Sequence, residues 1–304
     1  MAFTAQDVKK LREMTSCGMM DCKKALTETD GNMEKAAEFL REKGLATANK
    51  KAGRIAAEGL VESFVFGNVG VVVEVNSETD FVAKNEKFCN FVHAIAETIA
   101  NENPADVDTL KNLTLSGDTQ TVGEALIEKI ATIGENMNLR RFERFEGVNQ
   151  AYVHGGGRIG VLVNFDVADT TKASTPEFLE MAKNVAMQIA AVAPRYIREE
   201  EIPADVVEKE KEILKAQALN EGKPVAIVEK MIVGRIKKFF KEICLVDQAY
   251  VKDPDVTIAK YVANVAKELG TDISIAKFAR LEKGEGLEKR QDDFAAEVAS
   301  MTGK

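Results

Sequence analysis

An internal repeat limits the folds open to this chain more than any other part of its sequence. Residues 67–75 match residues 157–165 without a gap, at an offset of 90. A second pair of blocks, 121–134 and 257–270, matches at an offset of 136, and the strands that follow keep this offset. Self-similarity at a fixed spacing indicates that one structural unit occurs twice. Any fold for this chain must therefore contain two related halves.

Each half carries the pattern of a strand hairpin, two helices and a strand. The run at 69–75 is mostly apolar, which predicts a buried strand, and within 88–99 apolar residues recur at helical spacing. Two strands next to each other in sequence pair most simply as a hairpin. We therefore predict two antiparallel three-stranded sheets with helices packed on one face, an α+β fold.

The second half contains an insertion. Its second offset exceeds the first by 46 residues, which places an insert within 197–243. The residues Gly-Lys-Pro at 222–224 predict a turn in the middle of it, and hence a projecting helical hairpin. The second arm carries an apolar stripe at three and four spacing, formed by Val225, Val228, Ile232, Ile236, Phe239 and Ile243. Packing of arm on arm is the plainer interpretation; self-association or a partner is the alternative.

Residues 4–44 predict a separate module of three short helices. Thr4 can cap the first helix, and residues 15–18 break it. The third helix is expected to stop at Gly44, and residues 45–58 are expected to form a partly helical linker.

Three short helices with a glycine in the first turn resemble a ubiquitin-associated (UBA) fold. Met19 and Met20 directly follow that glycine, Gly18. Methionine suits an adaptable contact surface, but it also fills small cores well. Both roles remain open for this pair from the sequence.

The corner between the first hairpin and the next helix has an unusual composition. Residues 77–84 are Ser-Glu-Thr-Asp-Phe-Val-Ala-Lys, although such a corner is normally polar. An exposed Phe81 forgoes about 1.5–3 kcal/mol of burial, so it either lies beneath its own helix or inserts into a partner. The second half makes the equivalent connection, 167–174, without Asp-Phe. This favours a role for Phe81 outside the fold.

Composition and charge narrow the classes of function. The chain has 304 residues, a hydrophobic share of 45% and a formal net charge of −8. These values are typical of a globular protein and disfavour direct nucleic-acid binding. The N-terminus lacks the apolar region of a signal peptide, and no apolar run has membrane-spanning length. We expect a cytoplasmic protein that binds no membrane.

The sequence offers no convincing catalytic or metal site. The four cysteines form no C-x-x-C pair and only two histidines are present, so we expect reduced thiols, no metal and no cofactor. The glycines at 155–157 precede no Gly-Lys-Ser/Thr and predict a hairpin turn, not a phosphate loop. No nucleophilic triad is supported. We therefore predict that the chain is not an enzyme.

A run of arginines at 140–144 alternates with phenylalanines. Arg140, Arg141 and Arg144 lie among Phe142 and Phe145, which is a weak nucleic-acid signature. Alternation on a strand explains the run better, with apolar side chains inward and charged ones outward.

Across nearly its whole length the sequence resembles bacterial elongation factor Ts, the guanine-nucleotide exchange factor for elongation factor Tu. The motifs that carry this resemblance are Leu-Arg at 11–12, Gly-Met-Met-Asp-Cys-Lys-Lys-Ala-Leu at 18–26, Glu-Thr-Asp-Phe-Val-Ala-Lys at 78–84, Ile-Gly-Glu-Asn at 133–136, His-Gly-Gly-Gly-Arg-Ile-Gly-Val at 154–161 and Asp-Phe-Ala-Ala-Glu-Val-Ala-Ser-Met at 293–301. Their combination in this order is highly specific.

The resemblance implies a domain organisation in four parts. These are a UBA-like module with its linker at 1–54, a first core subdomain at 55–146, a second at 147–285 that holds the hairpin, and a C-terminal helical module at 286–304. It also implies GDP-bound elongation factor Tu as the partner, and allows a homodimer or a 2:2 complex.

The resemblance further implies which residues meet the partner. Thr79, Asp80, Phe81 and Val82 would disturb the Mg²⁺ site of the GTPase so that GDP leaves and GTP binds. The other residues expected to contact the partner are Arg12, Met19, Met20, Lys23, Ile133, His154, Phe294, Val298 and Met301.

Two other classes of protein compete with this interpretation. An adaptor could use the N-terminal module to bind ubiquitin-like folds, but this would leave the Asp-Phe corner unexplained. A nucleotide-binding enzyme would need a phosphate loop, which the sequence lacks.

Overall fold

The structure, a computed structural model, describes residues 3–15, 17–222 and 224–288. Within these residues the chain has eleven α-helices and small antiparallel sheets, which confirms the predicted α+β class. None of the helices in these ranges is long and apolar enough to cross a membrane.

Three helices, α1 (Ala5–Thr15), α2 (Met19–Glu28) and α3 (Met33–Lys51), form the N-terminal module. Thr4 caps α1 as predicted, because its hydroxyl accepts a hydrogen bond from the backbone N–H of Asp7 at 3.3 Å. The module has a small core of its own, formed by Val8, Leu11, Cys22, Ala25, Leu26, Ala36 and Leu40.

The first half of the core follows the module. Its elements are β1 (Glu58–Phe66), β2 (Val69–Ser77), α4 (Asp80–Ala83), α5 (Glu86–Glu102), α6 (Val107–Lys111), α7 (Val122–Ile133) and β3 (Met137–Glu146). The strands form an antiparallel sheet in the order β1-β2-β3. Val71, Val73 and Val75 on one face of β2 pack with the apolar faces of α5 and α7, which makes one continuous core.

The second half repeats this plan with an insertion. Its elements are β4 (Val148–His154), β5 (Ile159–Val167), α8 (Pro176–Val192), α9 (Ala204–Asn220), α10 (Val225–Ile243), β6 (Ala249–Tyr250), β7 (Asp253–Thr257), α11 (Ile258–Leu269) and β8 (Ile273–Glu282). The sheet order is β4-β5-β8, and β6 and β7 form a separate ribbon. Val73 lies opposite Phe142 in the first sheet, and Val163 opposite Phe278 in the second, so the strand registers match at both offsets.

The two sheets pack face to face, with the helices on their outer faces. The side chains between them include Val61, Val72, Leu162 and Leu281. Two glycines at repeat-equivalent positions allow this close approach. A Cβ on Gly70 would lie 2.5 Å from Leu162 Cδ1, and one on Gly160 would lie 2.5 Å from Val61 Cγ1. Side chains at either position would push the sheets apart.

The glycines at 155–157 form the turn between β4 and β5, with φ values of +63°, +62° and +87°, as predicted. The turn also ties the halves together, because the carbonyl of Gly157 accepts a hydrogen bond from the backbone N–H of Val61 at 2.9 Å. A Cβ on Gly157 would lie 2.0 Å from Leu60 Cδ1, so only glycine fits here.

The prediction that the third helix ends at Gly44 is wrong. α3 continues to Lys51, through much of the expected linker, because the residues after Gly44 are mostly acceptable helix formers. Gly44 is buried against α7, where a Cβ would lie 3.6 Å from the Cβ of Ala131. This glycine lies in the contact between α3 and α7 and does not end a helix.

The insert is a helical hairpin formed by α9 and α10. Val228, Ile236 and Ile243 on the predicted stripe are buried, and α10 packs along α9. At the tip, Arg235 donates two hydrogen bonds to Glu221, at 2.9 and 3.0 Å. The stripe therefore packs arm on arm, as the plainer interpretation predicts.

Candidate partner-binding site

The corner between β2 and α5 exposes one aromatic ring. Thr79 is the N-cap residue of α4, a single helical turn. The Phe81 side chain is 80% exposed, which excludes the interpretation that it lies beneath its own helix. Val82 is 6% exposed and packs in the core of the first half. Val82 thus anchors the turn that presents Phe81, and its own side chain has little surface to offer a partner.

A loop distant in sequence fixes this corner. Glu135 accepts hydrogen bonds from the backbone N–H of Thr79 at 2.9 Å and from its hydroxyl at 2.7 Å. Glu78 accepts one from the backbone N–H of Asn136 at 2.6 Å, and one from Arg54 at 3.4 Å. The loop thus supplies the carboxylate of Glu135 to the corner, and the corner supplies that of Glu78 to the loop. The backbone of the corner is therefore held while Phe81 stays free.

Asp80 carries a negative charge beside the exposed ring. Its carboxylate accepts a hydrogen bond from Lys84 Nζ at 2.6 Å, and this bond lowers the pKa of Asp80. The nearby charge of Lys283 lowers the same pKa further. Asp80 is therefore ionised at neutral pH.

Lys283 connects the first half to the second half. Its ammonium group pairs with Glu58 on β1, and its backbone N–H donates to the carbonyl of Arg158 at 2.8 Å. The backbone N–H of Arg158 in turn donates to the carbonyl of His154 at 3.1 Å. Lys283 thus joins β1 of the first half to the turn of the second half that follows His154.

The two predicted contact residues of the core differ in exposure. His154 is exposed, and its Nδ1 lies 3.0 Å from the hydroxyl of Tyr152. Ile133 is partly buried at the end of α7 and packs against the first core. Gly134 then ends α7 with φ +89° and directs the chain into the loop that holds the corner.

The predicted contact residues of the N-terminal module lie together on its surface. Arg12 is in the last turn of α1, and Met19, Met20 and Lys23 are in the first turns of α2; all four are exposed. The exposed fractions of Met19 and Met20 are 56% and 74%. Neither methionine fills the core of the module, so the contact-surface interpretation is the one that fits.

The prediction for Arg140 and Arg141 is wrong. Arg141 lies opposite Glu74 in the sheet while Leu139 lies opposite Val75, so Arg140 is an extra residue in a β-bulge. Both guanidinium groups turn to Glu74, at 3.0 and 2.6 Å, instead of facing solvent. A bulge of this kind leaves no mark in the alternation of the sequence.

Glu74 is a residue whose importance sequence reasoning missed. It is fully buried on the face of β2 that meets the second sheet, and it accepts a hydrogen bond from the backbone N–H of Gly284 at 2.8 Å. Burial would raise the pKa of Glu74, but hydrogen bonds from Gly284, Asn76 and Arg141 outweigh this and lower it. A charged residue inside an apolar run was the available signal.

Three predicted residues, Phe294, Val298 and Met301, lie outside the described residues. The described chain ends at Glu288, which lines one hollow together with Arg54 and Asn136, two of the residues at the supporting loop.

Metal-binding chemistry has no support in the described ranges. No group of three or more His, Cys, Asp or Glu side chains there is arranged to hold a metal ion, and all four cysteines are free thiols. Burial raises the pKa of Cys17, Cys22 and Cys89, and raises that of Cys244 to about 11. These thiols are therefore poor nucleophiles at neutral pH.

Fold and surface together define an α+β protein with a repeated two-sheet core, an exposed aromatic corner and a separate helical module. The sequence model of the family described as Elongation factor TS matches residues 78–285. The chain is 56% identical to "Elongation factor Ts" of Clostridium perfringens (strain 13 / Type A), over 99% of this chain and all of that relative. The identity is 52% for that of Syntrophotalea carbinolica (99% and 100%) and 49% for that of Magnetococcus marinus (99% and 99%).

The chain therefore belongs to the elongation factor Ts family. Membership makes it a translation elongation factor of protein biosynthesis with an exchange-factor function.

Proposed function

We propose that this chain is the guanine-nucleotide exchange factor that binds GDP-bound elongation factor Tu and promotes GDP release, so that GTP can bind. The observation that carries the proposal is the exposed Phe81 ring on a corner whose backbone is fixed. Family membership supplies the partner. The chain then acts by binding and makes or breaks no covalent bond.

Phe81 is suited to insertion because the turn that carries it is already ordered. Val82 is buried in the core and Thr79 is held by Glu135, so little conformational entropy is lost when the ring enters a partner. Burial of the ring contributes about 1.5–3 kcal/mol. That energy can be used to displace the elements that surround the nucleotide.

Asp80 supports the same displacement through its charge. In GTPases, Mg²⁺ and the phosphates hold the switch loops in place. A carboxylate brought next to the ring changes the charge balance at the Mg²⁺ site, which weakens the hold on GDP. Linkage makes the effect mutual: nucleotide lowers the affinity of the GTPase for this chain by the same factor.

The N-terminal module supplies a second contact in this proposal. Arg12, Met19, Met20 and Lys23 form an exposed surface of basic and flexible apolar groups, which suits a UBA-like module that binds the GTPase. Two contacts on one chain raise the effective concentration of the second. Ile133, His154 and the C-terminal residues Phe294, Val298 and Met301 would extend the interface.

The test is the release of fluorescent GDP from elongation factor Tu, measured by stopped flow with and without this chain. We expect acceleration by more than about 150-fold, the upper end of typical couplings between two sites. Removal of Mg²⁺ with a chelator should shrink this acceleration, because the disturbance attributed to the corner has then already occurred. An unchanged release rate at saturating chain would refute the proposal.

A further inference from the structure

The N-terminal module is fixed to the first half of the core along the length of α3. Ala48, near the end of this helix, belongs to the apolar core of the first half. Gly44 lies against α7, and Arg41 forms an ion pair with Glu124 in the first turn of α7. The module therefore has a defined position relative to the first half.

The chain that leaves α3 is held by one buried side chain, that of Asn136. Its amide donates hydrogen bonds to the backbone carbonyls of Arg54 at 2.8 Å and of Ala52 at 3.5 Å. Ala52 is the C-cap residue of α3, and Asn136 is 8% exposed. Asn136 thus holds the chain at the point where the module ends.

The same residue holds the Phe81 corner through its backbone. The N–H of Asn136 donates to Glu78 at 2.6 Å, and the preceding residue, Glu135, accepts the hydrogen bonds from Thr79. The side chain of Asn136 therefore binds the module while its backbone binds the corner. One residue lies between the two parts of the chain that the proposed function assigns to the partner.

The second half shows which of these contacts the fold itself uses twice. Thr271 takes the place of Glu135, and its hydroxyl likewise accepts a hydrogen bond from the backbone N–H at the equivalent corner, that of Asp169, at 3.0 Å. Asp272 takes the place of Asn136 and is exposed. The support of the corner thus recurs in both halves, whereas the bonds from a buried amide belong to the half that carries the module.

From this difference we propose that Asn136 is a positioning residue, which fixes the N-terminal module relative to the Phe81 corner. The inference rests on the exchange function proposed above. Energy gained when Met19 and Met20 contact the GTPase drives insertion of the ring only if the module and the corner move as one body. With a loose connection, the module would raise the affinity of the complex without speeding GDP release from it.

The test measures the maximal rate of GDP release from elongation factor Tu by stopped flow at saturating chain. Asn136→Ala removes the amide and keeps the backbone N–H that binds Glu78. This variant should lower the maximal rate about fivefold, the equivalent of one lost hydrogen bond. Asp272→Ala, at the equivalent position of the second half, is the matched control and should give the rate of the unmodified chain.

A double-mutant cycle separates positioning from a merely structural role. In the unmodified background, Met19→Ala with Met20→Ala should raise the chain concentration at half-maximal release and also lower the maximal rate about threefold. In the Asn136→Ala background, the same pair should still raise that concentration but change the maximal rate less than about 1.5-fold, because the coupling is already lost. A threefold effect in both backgrounds would mean that Asn136 only supports the corner, and would overturn the inference.

Gly44→Leu is a second variant, which displaces the module without touching the loop. A longer side chain at this position would meet Ala131 and Ile127 of α7. The variant should lower the maximal rate and abolish the methionine effect on it, as Asn136→Ala does, and it decides the question if Asn136→Ala does not fold. Full maximal rates in both variants would overturn the inference.

The same experiment keeps the inference distinct from the proposed function. No stimulation of GDP release by the unmodified chain would refute the exchange function, and this inference with it. Stimulation by the unmodified chain, with a full maximal rate in Asn136→Ala and in Gly44→Leu, would refute this inference alone.

Discussion

After β2 the first half makes the α4 turn with Phe81 exposed, whereas after β5 the second half makes a 3₁₀ turn, Thr170–Ser174. That second turn is capped by Asp169, which accepts hydrogen bonds from the backbone N–H and the hydroxyl of Thr171. Both connections join equivalent strands and helices. The fold can therefore close this corner with small polar residues, and the exposed ring of the first half has no structural purpose.

Each sheet has a bulge at the equivalent position, but the side chains beside the two bulges differ. In the first half the bulge brings Arg140 and Arg141 to Glu74. In the second half Asn164 occupies the position of Glu74, and its side-chain amide donates hydrogen bonds to two backbone carbonyls, that of Glu146 at the end of β3 and that of Val148 in its own sheet. Both positions thus reach the other half, Glu74 through charged groups and the N–H of Gly284, and Asn164 through neutral hydrogen bonds.

The largest expected effect is the loss of unfolding free energy when Glu74 is replaced. Glu74→Ala should destabilise the chain by about 3–5 kcal/mol, because it leaves two partly buried arginines and the N–H of Gly284 without their acceptor. Asn164→Ala should cost only about 1–3 kcal/mol, since it removes neutral hydrogen bonds. Urea unfolding of both variants checks the difference. Equal losses would contradict the special role of Glu74.

The pH dependence of stability should also distinguish Glu74 from Asn164. The folded pKa of Glu74 is lowered, so its contribution is complete above the ordinary pKa of 4.5 and is lost as the pH falls through the folded pKa. Unfolding free energies measured from pH 6 downwards should fall less steeply in Glu74→Gln than in the unmodified chain. Asn164 has no such group, and Asn164→Ala should leave the pH profile unchanged.

A smaller effect is expected at the support of the corner. Glu135→Ala removes both hydrogen bonds to Thr79, so the Phe81 turn loses its order and GDP release should slow about tenfold, or ~1.4 kcal/mol. Asp169→Ala loosens the equivalent turn of the second half and should leave exchange unchanged. Similar exchange rates for the two variants would show that the two corners do not differ in function.

The smallest effect is expected at the N-terminal module. Replacement of Met19 and Met20 by alanine should weaken binding to elongation factor Tu by about 0.5–1 kcal/mol, as surface contacts at the edge of an interface do. Titration calorimetry measures this. Ile213→Ala with Leu219→Ala, an exposed apolar pair on α9, is the control and should bind normally.

Much of the fold follows from local pattern, because the repeat, the strand alternation and the helical spacing are all visible in sequence. The exposed Phe81 could be inferred because the second repeat lacks it. The supports could not be inferred: Thr79 and Glu135 are 56 residues apart, and no local signal links them. The predicted helix end at Gly44 was wrong because a glycine that ends a helix and one that packs against another helix look alike in sequence.

Stopped-flow release of fluorescent GDP from elongation factor Tu, with Phe81→Ala beside Leu179→Ala, is the most direct test of the proposed mechanism. Leu179 is an exposed apolar residue of the second half. We predict that Phe81→Ala slows stimulated release about 100-fold, or ~2.7 kcal/mol, with an unfolding free energy within about 0.5 kcal/mol of the unmodified chain. Leu179→Ala should exchange normally. Normal exchange by Phe81→Ala would contradict the account.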